Sequence, residues 1–481
     1  MFSFTNITSY HKQLQQGEIS CQTAVEYYIK QINSNERLNA FIEVFADEAL
    51  LQADALDAKR KSGKPIKKLH GVVIAIKDVL CYKGHKVSAA SKILEGFESV
   101  YTATAVQRLI DEDAIIIGRC NCDEFAMGST NENSAHGKVL NALDETRVPG
   151  GSSGGSAVAV QAGLCMASLG TDTGGSVRQP ADFCGIVGMK PTYGSISRYG
   201  LIAYASSFDQ IGVFSTNIED AALLTDIMSG KDEFDSTAMQ DAHRSLVENL
   251  GIEKKFRIAY FNEALNHSSL DREIGNSIST TIDALKKDGH TVEPVGFELL
   301  DYIVPAYYIL TTAEASSNLS RFDGIRFGHS TKEQVADLTE FYKRSRTEGF
   351  GKEVRQRIML GTFVLSAGYY DAYFSKAQQV RRILVEKTNS IFNDFDAVIL
   401  PTSPATAFKA GEKTDDPIAM YLADIYTVFA NLTGIPGISV PLYKHSNGMP
   451  FGLQIMTKKR DELTLLQLSA MLLQHYKTYE R

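Results

Sequence analysis

The stretch VPGGSSGGSAVAVQAGLCMASLGTDTGGSVRQPADFCGIVGMKP, residues 148–191, decides how the rest of the chain is interpreted. It contains ten glycines and five serines in 44 positions. Two clusters stand out, residues 150–156 and 173–176, and an apolar segment follows each of them. Glycine loses much backbone entropy on folding and packs no side chain. This density of glycine therefore indicates that backbone N–H groups are needed to face a ligand.

Three interpretations of the two clusters compete. A flexible Gly/Ser linker is disfavoured because core-like apolar segments follow both clusters. A phosphate-binding loop is disfavoured because the chain lacks the pattern G-x-x-x-x-G-K-[ST]. The third interpretation is a serine nucleophile with an oxyanion hole of N–H groups. Residues 150–154 also match the short G-x-S-x-G pattern, but no histidine lies between His136 and His243 to act as a nearby base.

A lysine can take the place of the histidine. Residues 70–78 read as a buried, apolar strand that carries Lys77 at its C-terminal end. A lysine at the end of a strand usually reaches solvent, and from the strand alone that interpretation stays open. If Lys77 is buried instead, loss of solvation lowers its pKa from about 10.4 toward about 7. The neutral amine could then accept a proton from a serine.

Lys77 and the two glycine-serine clusters resemble the amidase signature family. Ser152 follows Lys77 by 75 residues, and Ser176 follows Ser152 by 24 residues, as in that family. The resemblance implies a catalytic triad of Lys77, Ser152 after a cis peptide bond, and Ser176 as the nucleophile. It also implies a single α/β domain with a mixed sheet of about eleven strands wrapped by helices.

The loop before the nucleophile is expected to form the oxyanion hole, from Thr173, Gly174, Gly175 and Ser176. Glycines allow N–H groups to approach closely, and a helix predicted to start at Ser176 would add a favourable dipole. Asp172 and Arg178 flank this loop, and we interpret them as an ion pair that holds it.

The resemblance extends to the A-subunit family of glutamyl-tRNA(Gln) amidotransferases. It is carried by five blocks of sequence, residues 122–129, 174–191, 193–212, 313–319 and 434–441. It implies that Arg357 binds the α-carboxylate of a substrate as a fork and that Asp424 binds the α-ammonium. The other substrate-binding residues that it implies are Met127, Gly128, Ser129 and Tyr308. Tyr307 is an alternative to Tyr308, and Arg355 is an alternative to Arg357.

Members of that A-subunit family hydrolyse glutamine and pass the ammonia to a partner subunit. The resemblance therefore implies a heterotrimer with B and C subunits, ATP and Mg²⁺ used by the partner, and tRNA bound mainly through the B subunit. It implies no cofactor in this chain, and it leaves open whether Asp-tRNA(Asn) is a second target and asparagine a second donor. The alternative function is a stand-alone amidase that hydrolyses small-molecule amides.

Composition limits the other function classes. The formal net charge is −8, which argues against a large exposed basic surface for nucleic acid. The six cysteines are scattered, so we expect reduced thiols and no metal site. The sequence has no long apolar run and no signal-peptide pattern near its start. We therefore expect a cytoplasmic protein that does not contact the membrane.

The order of predicted elements is typical of an α/β sheet. We expect residues 1–60 to be a helical segment packed on a domain of residues 61–481, with a helical insertion at about residues 300–395. The predicted strands cover residues 72–76, 114–118, 164–169, 256–260, 290–295, 397–400, 438–442 and 451–456. The predicted helices outside the insertion cover residues 21–32, 47–61, 102–113, 156–163, 217–228, 271–287, 418–432 and 462–476.

Overall fold

A computed structural model of the chain describes residues 2–240, 245–251, 254–412 and 423–479. These residues contain an eleven-stranded mixed sheet, in the order β1-β3-β2-β4-β6-β5-β10-β11-β9-β7-β8. The strands are β1 (Phe41–Val44), β2 (Val73–Lys77), β3 (Ile115–Cys120), β4 (Ala167–Asp172), β5 (Val187–Lys190), β6 (Gln210–Ser215), β7 (Arg257–Phe261), β8 (Thr291–Val295), β9 (Ala397–Pro401), β10 (Gly437–Lys444) and β11 (Pro450–Thr457).

Helices cover the sheet. The α-helices of the described residues are α1 (Ile7–Gln16), α2 (Cys21–Ser34), α3 (Ala46–Lys61), α4 (Thr104–Asp111), α5 (Gly154–Gln161), α6 (Arg178–Cys184), α7 (Ile218–Met228), α8 (Asn262–Leu265), α9 (Arg272–Lys287), α10 (Leu300–Asn318), α11 (Leu338–Gly349), α12 (Lys352–Val364), α13 (Lys376–Asp394), α14 (Val428–Thr433) and α15 (Glu462–His475). The prediction of one α/β fold with about eleven strands is confirmed.

Three neighbouring strands position the site. β2 runs parallel to both β3 and β4, so the C-terminal ends of β2 and β4 lie at the same edge of the sheet. Every residue of these strands is buried, because helices cover both faces. The chain leaves β2 at Lys77 and β4 at Asp172. The segments that follow these two ends, and the loop before α5, therefore meet at one place.

The outer part of the sheet holds a long insertion. The chain leaves β8 at Val295 and re-enters the sheet only at Ala397, the first residue of β9. Between them lie α10 to α13. Burial of apolar residues makes two main core clusters, one of which includes residues of the segment between β8 and β9.

The structure differs from the predicted elements in four places. The first 60 residues contribute not only helices but also β1, which pairs antiparallel with β3; the division at residue 60 stays a prediction. The strand predicted at residues 164–169 lies three residues later, at β4. β5 and β6 were not predicted. In the helix predicted at residues 418–432, residues 418–422 lie outside the described residues, residues 423–427 form turns, and only α14 is helical.

Candidate active site

Lys77 ends β2 with a fully buried side chain. Its Nζ lies 2.7 Å from Ser152 Oγ, 2.9 Å from Ser153 Oγ and 2.9 Å from Thr171 Oγ1. The two serines precede α5, and Thr171 lies on the neighbouring parallel strand β4. The sheet therefore brings three hydroxyls onto one amine. The alternative of a lysine that reaches solvent at the end of the strand is wrong.

The surrounding hydrogen bonds limit where the protons can be. The Ser153 hydroxyl donates to the Thr171 carbonyl oxygen at 3.1 Å, and Ser153 Oγ accepts from the Thr171 N–H at 3.2 Å. Because the only hydroxyl hydrogen of Ser153 is thus engaged, Ser153 can only accept from Lys77. A neutral amine has two hydrogens and one lone pair. If its hydrogens go to Ser153 and Thr171, its lone pair is left to accept the proton of Ser152.

Burial lowers the pKa of Lys77 to about 8 from its usual 10.5. Nearby acidic groups, among them Cys122 and Asp123, oppose this shift but are outweighed. The neutral form that can act as a base is therefore accessible near neutral pH.

The loop that carries Ser152 is fixed on both sides. The peptide bond between Gly151 and Ser152 is cis. The Gly151 N–H donates to Gln179 Oε1 at 3.0 Å, and the Ser152 carbonyl accepts from the Asp123 N–H at 3.0 Å. A Cβ at position 151 would lie 2.2 Å from Asp123 Oδ2, so only glycine fits there. This packing holds Ser152 against Lys77.

Asp172 organises the loop that carries Ser176. Its carboxylate accepts from the N–H groups of Gly175 at 2.9 Å and Val177 at 3.2 Å. Arg178 binds the same carboxylate as a fork, at 3.0 Å from Nε and 2.9 Å from Nη2. Both side chains are fully buried, and the predicted ion pair is confirmed. Burial disfavours the charged Asp172, but the Arg178 charge outweighs burial and lowers the pKa to about 2.

The structure refines the expected oxyanion hole. α6 begins at Arg178, so the prediction of a helix that starts at Ser176 is wrong; residues 176 and 177 form a turn closed by Asp172. The Gly175 N–H is already engaged with Asp172. Among the described residues, the N–H groups of Gly174 and Ser176 and the Ser176 hydroxyl have no hydrogen-bond partner. These groups are available to a ligand.

A second cluster surrounds Asp424. The hydroxyls of Ser129 and Tyr308 donate to Asp424 Oδ2 at 2.8 and 3.3 Å. Burial raises the pKa of Asp424 to about 7, although these hydrogen bonds and the charge of Arg357 act in the opposite direction. No cationic side chain of the described residues forms an ion pair with this carboxylate. A buried carboxylate of this kind can accept a ligand's ammonium group.

Arg357 lies on the other side of Tyr308. Its Nη1 donates to Tyr204 Oη at 2.9 Å, its Nε binds Glu353 at 2.8 Å, and Nη2 donates to no described residue. Its guanidinium stacks 5.3 Å from the centre of the Tyr308 ring. Arg357 is buried at 7% exposure, whereas Arg355 is exposed on the same helix. The geometry therefore favours Arg357 as the residue that could bind a carboxylate.

The two tyrosines of α10 have different neighbours. Tyr308 contacts Asp424 and Arg357, whereas Tyr307 packs against the loop before Ser176. A Cβ at Gly174 would lie 2.4 Å from Tyr307 Oη, so glycine is needed there for close contact. Tyr308 thus lies between Asp424 and Arg357, and Tyr307 supports the loop that carries Ser176.

Met127 and Gly128 lie in the segment that leads to Ser129. Met127 is fully buried, and a Cβ at Gly128 would lie 2.4 Å from the carboxyl carbon of Asp123. Asp123 also accepts from the N–H groups of Asn131 and Asn133, at 2.9 and 3.0 Å. These contacts shape the segment, and direct contact of Met127 and Gly128 with a substrate stays a prediction.

Two side chains that were not predicted connect the surroundings of Asp424 to the loops that carry Ser152 and Ser176. Gln179 accepts from Gly151 and donates to the Ser129 carbonyl oxygen at 3.0 Å. Thr427 Oγ1 donates to the Gly174 carbonyl oxygen at 2.7 Å. Gln179 lies within a conspicuous sequence block, as do Ser153 and Thr171. No sequence signal identifies Thr427, because its partner is 253 residues away in the chain.

The remaining expectations concern metals, thiols and the membrane. Within the described part of the chain, no group of three or more His, Cys, Asp or Glu side chains could hold a metal ion. All six cysteines are buried free thiols. No helix within the described ranges has both the length and the apolar character needed to cross a bilayer.

Comparisons with known proteins agree with this geometry. The family model described as Amidase matches residues 23–466. The A subunit of glutamyl-tRNA(Gln) amidotransferase from Chlorobium limicola is 50% identical, covering 94% of this chain and 95% of that protein. Its counterpart from Koribacter versatilis is 48% identical, with 95% of each chain covered. The crystal structure of the counterpart from Thermotoga maritima has a TM-score of 0.78 and 38% identity, covering 96% of this chain and 93% of the other.

Proposed function

The chain belongs to the amidase signature family, and on that premise we propose that it is the glutamine-hydrolysing A subunit of a tRNA-dependent amidotransferase. It hydrolyses glutamine to glutamate and supplies ammonia for the conversion of Glu-tRNA(Gln) to Gln-tRNA(Gln). The observation that carries the proposal is the placement of Asp424 and Arg357 around Tyr308. A free α-amino acid has an ammonium and a carboxylate that complement these two charges.

The first step forms an acyl-enzyme. Ser176 Oγ attacks the side-chain amide carbon of glutamine and passes its proton to Ser152, which passes its own proton to neutral Lys77. The N–H groups of Gly174 and Ser176 stabilise the negative charge that develops on the carbonyl oxygen. The relay then runs in reverse and protonates the leaving nitrogen, so ammonia departs and a glutamyl ester remains on Ser176.

The second step regenerates the enzyme through the same groups. A water molecule attacks the ester carbon while its proton passes through Ser152 to Lys77. The relay returns the proton to Ser176 Oγ as the carbon–oxygen bond breaks, and glutamate is released. Lys77 thus acts as base and as acid in each step, which requires a pKa near neutrality, and burial of Lys77 supports this.

The substrate is oriented by charge and by aromatic contact. The α-ammonium binds Asp424, where Ser129 and Tyr308 already fix the carboxylate. The α-carboxylate binds the Nη2 side of Arg357, whose other nitrogens are fixed by Glu353 and Tyr204. Thr427 and Gln179 connect these groups to the nucleophile loop and to the loop of Ser152.

The ammonia is used by a partner. In the complex, B and C subunits accompany this chain, and the partner subunit uses ATP and Mg²⁺ to activate the glutamyl group on tRNA. The tRNA is bound mainly by the B subunit, in the cytoplasm, and this chain needs no cofactor of its own for hydrolysis.

The test is purification of the full chain from its native host with the proteins that accompany it. We expect a complex with two further subunits that releases ammonia from glutamine and, with ATP, amidates Glu-tRNA(Gln). Assay of the same sample with Asp-tRNA(Asn) then decides whether that is a second target. A lone chain that hydrolyses simple amides but not glutamine would instead indicate a stand-alone amidase and overturn the proposal.

A further inference from the structure

The Glu124 carboxylate is 4% exposed, although the proposed chemistry does not use it. Its two oxygens lie 3.1 and 2.9 Å from the N–H of Gly351, from which both accept. The Ser91 hydroxyl also donates to Glu124 and lies 3.2 Å from the carbonyl oxygen of Gly349. Glu124 and Ser91 therefore fix the short connection between α11 and α12.

Gly351 caps the N-terminus of α12, the helix that carries Arg357. An anion is favoured at this end of a helix, because the first N–H groups are unpaired within the helix and the dipole is positive there. A Cβ at Gly351 would lie 2.4 Å from Glu124 Oε2, so glycine is needed for this close approach. The start of α12 is thus located by one buried side chain.

Glu124 also begins the turn that leads to the ammonium side of the site. Its carbonyl oxygen accepts from the Met127 N–H at 2.9 Å, and the chain then continues to Ser129, which donates to Asp424. One residue therefore connects the segment that fixes Asp424 with the helix that positions Arg357. These are the groups proposed to bind the two charges of the amino acid.

We propose that Glu124 is a positioning residue that sets the separation between Arg357 and Asp424 and thereby the selectivity for amides that carry both an α-ammonium and an α-carboxylate. The proposal rests on the proposed function. Glu124 does not touch substrate; it acts through Arg357. The role depends on hydrogen-bond geometry more than on charge, because an amide at position 124 could accept from Gly351 with its oxygen and donate to Ser91 with its nitrogen.

The test is steady-state hydrolysis by the full chain, purified with its accompanying subunits, of glutamine and of 4-aminobutanamide, which is glutamine without the α-carboxylate. We expect Glu124→Met to raise the KM for glutamine between about 10-fold and 100-fold, because displacement of a binding group by ~1 Å has effects of this size. The kcat for glutamine and the kcat/KM for 4-aminobutanamide should stay within about twofold of wild type, because Arg357 contributes only to carboxylate binding. In contrast, Glu124→Gln should keep the KM for glutamine close to that of wild type.

Two further variants complete the test. Gly351→Ala displaces the carboxylate from the other side and should reproduce the higher KM even if Glu124→Met does not fold. Glu124, Gly351 and Glu348 line one cavity of about 240 Å³, but the Glu348 carboxylate binds His329 and Thr331. Glu348→Gln is therefore the matched control and should leave both substrates unaffected. Equal losses for both substrates, or an unchanged glutamine KM in both Glu124→Met and Gly351→Ala, would overturn the proposal. A wild-type protein that hydrolyses 4-aminobutanamide but not glutamine would refute the proposed function instead, and the positioning role with it.

Discussion

Thr427 Oγ1 donates a 2.7 Å hydrogen bond to the carbonyl oxygen of Gly174, so the turn that carries Asp424 lies directly on the loop that carries Ser176. A Cβ at Gly175 would lie 2.2 Å from the same Thr427 oxygen, which shows how closely the two segments pack. Arg178 also donates to the Thr427 carbonyl oxygen, at 2.8 Å. The proposed substrate binding at Asp424 and the proposed attack by Ser176 therefore depend on segments that pack directly on each other, and their parts can be tested separately.

The first prediction concerns the nucleophile. Ser176→Ala should abolish glutamine hydrolysis, because it removes the hydroxyl proposed to attack the amide carbon next to the free N–H groups of Gly174 and Ser176. Its thermal unfolding should match wild type, since the Ser176 hydroxyl makes no hydrogen bond within the described residues. A glutamine-like electrophile followed by peptide mass spectrometry should label Ser176. Labelling of Ser152 or Ser153 in its place would contradict the assignment.

The second prediction concerns proton transfer. Neutral Lys77 is the proposed base, and the neutral fraction of Lys77 rises with pH, so kcat/KM should rise through an apparent pKa of about 8. Lys77→Arg should be inactive because guanidinium stays protonated. Lys77→Ala with Ser152→Ala should lose little more than Lys77→Ala alone, since both residues serve one relay. Near-normal activity in Lys77→Arg would exclude the relay.

The third prediction concerns the buried pair next to Ser176. Asp172→Asn should lower the free energy of unfolding by about 3–5 kcal/mol, because it leaves the Arg178 charge buried and unpaired. The pKa of Asp172 is lowered from 3.8 to about 2, so its stabilisation should be complete above about pH 4 and lost as pH falls through about 2. Denaturant titration of Asp172→Asn, wild type and Glu386→Gln at several pH values measures the free energy of unfolding and its pH dependence.

Glu386→Gln is the matched control for that measurement. Glu386 pairs with Arg382 at 2.9 Å, but both side chains are mostly exposed, so its unfolding curve should coincide with that of wild type. If Asp172→Asn behaved like this control, the pair could not be what holds the nucleophile loop.

The fourth prediction separates the two charged contacts of the substrate. Arg357→Met should raise the KM for glutamine by about 100-fold, as loss of a charged hydrogen bond of about 2–3 kcal/mol implies, and should spare 4-aminobutanamide. Asp424→Asn should likewise raise the KM for glutamine, but it should spare glutaramic acid, which is glutamine without the ammonium. Arg355→Met is the control on the exposed side of α12 and should behave like wild type. A raised KM for glutamine in Arg355→Met would instead assign carboxylate binding to Arg355.

The fifth prediction concerns tRNA. With a net charge of −8, the isolated chain should bind tRNA weakly, because non-specific binding requires clustered lysine and arginine against phosphate. Filter binding across a range of salt concentrations measures this, with the whole complex as the positive control. Tight, salt-sensitive binding by the isolated chain would contradict the assignment of tRNA to the B subunit.

The sequence predicted the elements with clear apolar periodicity but not the short or polar strands. β5 contains glycine and lysine within four residues, and β1 is only four residues long, so neither shows a strand pattern. β4 was placed three residues too early because Ser168, Thr171 and Asp172 are polar. These side chains are buried only because Ser156, Lys77 and Arg178 pair with them.

The residues of the candidate site also divide into those that could be identified from the sequence and those that could not. The residues of the glycine-rich stretch could be identified because the composition of that stretch is unusual. Lys77 could be identified only through its spacing from Ser152 and Ser176, which resembles the amidase signature family, because the apolar strand alone left a solvent-exposed lysine open. The availability of each N–H group could not be predicted, since it depends on where the Asp172 carboxylate points. Glu124 and Thr427 could not be identified either, because their partners are more than 220 residues away in the chain.

The position of the insertion between β8 and β9 has a consequence for how such an enzyme can evolve. Lys77 is the last residue of β2 and Ser176 lies in the loop after β4, whereas Tyr308 and Arg357 lie on α10 and α12, between β8 and β9. Tyr308 and Arg357 are not among the hydrogen-bond partners of Lys77, so substitutions at these two positions should alter which acyl group is accepted without direct loss of a contact in the proposed relay. New substrate preferences can thus arise while Lys77, Ser152 and Ser176 stay unchanged.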